Sequence, residues 1–211
     1  MREGPPVTAE RLLSSATHTG SGIPAIGDIP WGSHFCHFYR GRAELVSSLV
    51  PYFEMGLNTN QRCLWITAEP FPAAQARMEL ENRVPHLAGL IEAGKIVILE
   101  FKDWYGTGSN GEDVTNAWLR QEQAALADGF EGLRIAGNAG FLSTEHWADF
   151  AAYERKVNEI FEGRRIVAFC SYDLSRCGAS DIFEVVRNHR FTIDCRDGKW
   201  EVLESTLRGH P

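Results

Sequence analysis

His34-Phe35-Cys36-His37-Phe38-Tyr39-Arg40-Gly41-Arg42-Ala43-Glu44-Leu45 contains the transition that decides the fold. The first six residues are an unbroken, aromatic-rich run of strand length. The last of them opens the series Leu45, Leu49, Phe53 and Leu57, at helical spacing, which ends near Gly56. The same alternation recurs downstream. Cys63–Thr67, Ile96–Phe101, Leu133–Ala136 and Ile166–Cys170 read as further strands. Helices are predicted over 72–93 with a break near Pro85, over 112–128, from a cap at Ser143 or Thr144 to Phe161, and over 180–188. Phe191–Cys195 and Trp200–Leu203 flank Asp197-Gly198, a hairpin signal. Apolar runs without polar alternation suit a sheet covered on both faces. The expected fold is therefore a three-layer α/β domain. Its central sheet is mostly parallel with helices on both faces, and a C-terminal antiparallel hairpin closes it. The domain is placed at residues 31–205. Residues 1–30, rich in Pro, Gly and Ser, read as a flexible leader, and residues 206–211 as a tail.

The bulk composition narrows the function. The chain has 211 residues and a net charge of −7, from 21 Lys+Arg against 28 Asp+Glu. Its only lysines are Lys95, Lys102, Lys156 and Lys199. Such a chain lacks the dense cations that direct nucleic-acid binding or an anionic membrane surface requires. The five cysteines are scattered and odd in number, which argues for reduced thiols and a cytoplasmic protein. Cys63 and Cys195 read as packing residues, and Cys177 is undecided.

In a parallel sheet the ligand site lies at the carboxyl ends of the strands. That rule selects Tyr39, Glu69, Trp104, Asn138, Tyr172 and Asp173. Trp104-Tyr105, beside a glycine-rich loop, is a candidate lid over an apolar pocket or a simple loop anchor. Gly106-Thr107-Gly108-Ser109-Asn110-Gly111 matches the dinucleotide fingerprint G-x-G-x-x-G. It stands four residues beyond its strand, and Glu112 and Asp113 would repel a pyrophosphate from the helix start. The first turn, Tyr39 to Glu44, lacks the glycines and the Lys of a phosphate loop. Arg40 and Arg42 there are either anion partners or solvated. His34, Cys36 and, if the first and fifth strands adjoin, Cys170 are candidate ligands for a transition metal such as zinc. Against that stands the usual role of buried Cys as a small hydrophobe. Cys170 or Cys36 as a nucleophile, with His34 and Asp173 beside Cys170, is a further alternative. No G-x-S-x-G elbow is present, and the chain is not expected to be an enzyme.

The blocks His34 to Arg40, Glu44-Leu45, Gly56-Leu57, Arg62 to Thr67 and Glu69-Pro70 resemble the methanogen/methylotroph sensory (MEDS) domain. Trp104-Tyr105, Gly137, Glu145, Tyr153-Glu154, Cys170 to Asp173 and Val186 to Arg190 extend the likeness over about 33–204. The resemblance implies a RecA/KaiC-like sheet with an eroded phosphate loop. It also implies a ligand-sensing role toward simple hydrocarbon derivatives. The expected partners are a small organic ligand and a signalling protein such as a histidine kinase or a transcription regulator, with a homodimer as an open alternative. The ligand contacts expected on this reading are His34 and Cys36 beneath the pocket, Tyr39 and Glu69 at its mouth, Trp104 and Tyr105 as lid, and Cys170, Tyr172 and Asp173 opposite.

Overall fold

The computed structural model describes residues 17–105, 111–138, 147–196 and 198–205. Strands are β1 His18–Gly20, β2 Asp28–Pro30, β3 His34–Tyr39, β4 Arg62–Thr67, β5 Ile96–Glu100, β6 Leu133–Asn138, β7 Ile166–Asp173, β8 Phe191–Arg196 and β9 Lys199–Glu204. Helices are α1 Arg42–Asn58, α2 Ala73–Glu81, α3 Leu87–Glu92, α4 Phe101–Tyr105, α5 Gly111–Ala127, α6 Trp147–Phe161 and α7 Ala179–Asn188. The break predicted near Pro85 separates α2 from α3, where His86 takes a left-handed conformation. The predicted cap at Ser143 or Thr144, the fingerprint stretch 106–110 and the tail lie outside the described residues.

The seven-stranded sheet runs β5-β4-β6-β7-β3-β8-β9. Every pair in it is parallel except the terminal β8-β9 hairpin. β3 and β7 adjoin in register, with His34 opposite Ala168 and Cys36 opposite Cys170. Since strand side chains alternate, this register sorts the residues into two faces. Phe35, Tyr39, Trp65 and Phe169 join Leu49, Tyr52 and Phe53 of α1 in one core. Leu64, Ile66, Ile135 and Ala168 join Val114 and Trp118 of α5 and Val157 and Phe161 of α6 in the other. Cys36, Phe38 and Tyr172 continue that second face under Val185 of α7. Both faces are thus apolar and covered, as the continuous strands imply. Among the described residues no helix is long and apolar enough to cross a membrane.

The leader requires a correction. Residues 17–30 do not trail free: β1 and β2 form an antiparallel hairpin, and Ile23 and Ile29 are buried in the first core. Gly22, with φ of +84°, brings this hairpin so close to α1 that a Cβ would stand 2.3 Å from the Pro51 carbonyl oxygen. The anchor is Arg134 of β6, fully buried and, among the described residues, without a carboxylate partner. Its guanidinium lies 4.4 Å over the Tyr52 ring and donates to Gln61 Oε1 and to the carbonyls of Gly20, Ser21 and Tyr52. Composition could not reveal this, because small polar residues look the same in a free segment and in one whose carbonyls an interior cation binds.

Replacing Arg134 with Met leaves those carbonyls buried without a donor. We expect R134M to lose about 3 kcal/mol in urea unfolding, and limited proteolysis to cut first within residues 17–30. An unchanged midpoint with an uncut hairpin would refute the anchoring role.

Candidate functional site

The turn after β3 is closed by the chain's own carboxylates. Glu44 Oε2 accepts from the Arg40 backbone N–H at 2.9 Å. The Arg40 side chain is held by Asp194 at 2.8 Å and by the Cys195 carbonyl at 3.0 Å, and Arg42 is held by Glu79 at 2.7 Å. Neither arginine stands ready for an anion, and an acidic group occupies the amide that a phosphate loop would offer.

The residues expected at the carboxyl ends do not form one site. Tyr39 is buried and donates to Asn138 Oδ1 at 3.2 Å, while Asn138 Nδ2 reaches the Ala68 carbonyl. Glu69 is exposed, beside a cis peptide bond to Pro70. Asp173 accepts from Ser175 backbone N–H and hydroxyl, capping the 3-10 turn Leu174–Arg176. Trp104 stacks on Trp118 at 4.5 Å, and Trp118 Nε1 donates to Tyr153. Tyr105 ends α4, and its side chain is outside the described set.

His34, Cys170 and Tyr172 do come together, on the second face of the sheet. Glu154 of α6 and His189, at the end of α7, complete the group. His34 Nε2 lies 3.0 Å from Glu154 Oε2 and 3.2 Å from Cys170 Sγ. His189 Nε2 lies 3.4 Å from the same Glu154 oxygen. Tyr172 donates to Glu154 Oε1 at 3.2 Å. The two imidazoles lie tilted at 45° to each other with centroids 4.1 Å apart. His34, Glu154, Tyr172 and His189 are all buried.

The hydrogen bonds behind the rings assign their protons. His189 Nδ1 faces the Val185 carbonyl at 2.8 Å, an atom that only accepts, so Nδ1 carries the proton. Asn158 Nδ2 donates to the Asn188 carbonyl, which turns Asn158 Oδ1 toward His34 Nδ1 at 3.0 Å. His34 Nδ1 is therefore a donor as well. Each ring then turns its Nε2 toward the Glu154 carboxylate. Burial would raise the Glu154 acid, but His34 first and His189 beside it outweigh that and hold the carboxyl below its ordinary range. Burial above all keeps His189 neutral, lowering its pKa.

The set expected from sequence, His34, Cys36 and Cys170, needs correction. Cys36 shares the face but stands on β3 beside β8, where its thiol contacts Thr192 Oγ1 at 3.4 Å, outside the convergent group. Glu154 and His189 replace it. For Glu154 a signal is present: Glu154 and Asn158 are one turn apart on the same stripe of α6 as Val157 and Phe161, a polar pair on a core-facing surface. Nor does any described thiol look like a nucleophile. Burial raises Cys36, Cys63, Cys170 and Cys195, taking Cys63 to about 12, and raises Cys177 to about 11.

These features define a doubly covered parallel α/β domain with a carboxylate-closed first turn and a polar centre under its helices. A KaiC-like protein of the hyperthermophilic archaeon Pyrococcus horikoshii OT3 shares the fold, with a TM-score of 0.61 at 15% identity. The match covers 90% of this chain and 88% of that one. The family model described as "MEthanogen/methylotroph, DcmR Sensory domain" matches residues 33–190, and the chain belongs to this MEDS family of sensory domains. No curated protein matches the sequence.

Two outcomes are expected. Alkylation of the native protein near neutral pH should be uniformly slow at all five cysteines, whereas one fast-reacting thiol would revive the nucleophile. On the opposite face, burial lowers the His37 pKa from 6.5 to about 4, partly opposed by Asp194. The unfolded chain takes up that proton first, so stability should fall as pH drops from 6.5 toward 4, by about 3 kcal/mol from this group. Urea midpoints of H37Q across that window should lose this part of the slope. A slope equal to wild type would contradict it.

Proposed function

We propose that the chain senses a small organic molecule whose polar group is recognised at the His34–Glu154–Cys170–His189 centre. The observation that carries this reading is the centre itself. A carboxylate buried among two imidazoles and a thiol is costly to desolvate, and such groups concentrate at functional sites. Its position suits signalling. Glu154 belongs to α6 and His189 ends α7, so a change in occupancy alters how both helices seat on the sheet. Arg155 and Glu184, 3.3 Å apart, link the outer faces of those helices. The reader of that change would be a separate signalling protein, such as a histidine kinase or a transcription regulator. The raised thiols favour a binding module over a cysteine enzyme.

A thermal-shift screen of one-carbon and short-chain alcohols, thiols, halides and carboxylates tests this. A true ligand at about 100 times its Kd should stabilise the wild type by about 2.7 kcal/mol. The gain should disappear in E154Q and shrink in Y172F, which removes only the hydroxyl that donates to Glu154. Stabilisation that survives in both variants, or none from any compound, would overturn the reading.

A further inference from the structure

We propose that His34 Nε2, Glu154 Oε2, Cys170 Sγ and His189 Nε2 form a mononuclear site for a divalent transition metal of the zinc class. The proposal deepens the sensory reading, resting on it only for the purpose of the ion. The geometry stands independently.

Three observations carry it. First, the donor atoms all lie within 4.8 Å of one another, and the closest pairs are 3.0, 3.2 and 3.4 Å apart. A tetrahedron with zinc–nitrogen, zinc–oxygen and zinc–sulfur bonds of about 2.0–2.3 Å has edges of roughly 3.3–3.7 Å, so only small shifts are needed. Second, His189 Nε2 is buried and makes no hydrogen bond, though it points at a carboxylate oxygen. A lone pair facing an anion is repulsive, and a cation between them reverses the sign. Third, each histidine donates Nδ1–H to an oxygen held from behind, Asn158 Oδ1 and the Val185 carbonyl. That is the outer-shell arrangement by which proteins orient imidazole ligands.

The charges balance. On binding, Cys170 releases its thiol proton to solvent and joins the ionised Glu154 as a second anionic donor. Carboxylate, thiolate and a divalent ion sum to zero, which suits a buried site. Two nitrogens, one oxygen and one sulfur match zinc, and cobalt(II) as its spectroscopic substitute, better than magnesium or calcium. The ion would join β3, β7, α6 and the junction between α7 and β8.

The test uses the full chain, purified without a metal-binding tag, stripped with a chelator and titrated with Co(II). Binding should saturate at one equivalent and show a thiolate-to-cobalt charge-transfer band with intense tetrahedral visible bands. C170S should lose the charge-transfer band, and C36S should keep it. N158L, which removes only the support behind His34, should keep the band while weakening affinity about 10–100-fold. Circular dichroism checks that each variant is folded, and the wild-type titration stands even if a variant is not. Unsaturable binding, a band that survives in C170S, or one lost in folded C36S would overturn the site. An intact cobalt site together with an empty organic screen would instead remove the sensory ligand and leave the metal.

Discussion

The in-register parallel pairing of β3 with β7 is the constraint on which the rest depends. It sets Cys36 opposite Cys170 and His34 opposite Ala168. From that pairing it follows that His34 and Cys170 share the face covered by α6 and α7. A slip of one residue would turn His34 toward the apolar core around Phe35 and Phe169, so a wrong register is strongly penalised. Burial on both faces thus specifies not only the sheet but also a place where an imidazole, a thiol and a helix carboxylate meet.

The two faces perform different work. The first is a large aromatic core, and its one deep charge, Arg134, is satisfied by neutral acceptors that tie the N-terminal hairpin to the domain. The second is interrupted by His34, Tyr172 and His189, whose polar atoms turn toward Glu154. A polar group that merely supported packing would end in a backbone partner, as Tyr52 does on the carbonyls of Ile135 and Val167. The Glu154 centre instead leaves the His189 Nε2 acceptor facing a carboxylate oxygen. This difference separates structural polarity from a site.

Much of the architecture was legible. Uninterrupted runs such as Ile166 to Cys170 can only be strands covered on both sides, and Asp197-Gly198 marks the closing hairpin. The resemblance read from His34 to Arg40 agreed with the family and the fold. The site was half legible. His34, Cys170 and Tyr172 sit on strands whose adjacency follows from the topology, so they could be named together. Glu154 and His189 could not be joined to them: the α6 stripe marks Glu154 as a polar residue facing the core, but the angle at which α6 and α7 lie over the sheet is a packing outcome. The same limit explains the leader: nothing in Gly20-Ser21 says that an arginine more than a hundred residues away binds their carbonyls. The rule that ligands sit at the carboxyl ends of the strands also drew Glu69 and Asp173 into the expected site, where one is exposed and the other caps a turn.

The coupling of ligand state at the centre to the seating of α6 and α7 is tested most directly by hydrogen–deuterium exchange of the stripped protein, with and without one equivalent of zinc. Added protection is expected to concentrate in α6 and in α7 through His189, with β4 and β5 unchanged. Exchange unaffected by zinc, or altered only at the β5 edge or the N-terminal hairpin, would contradict it.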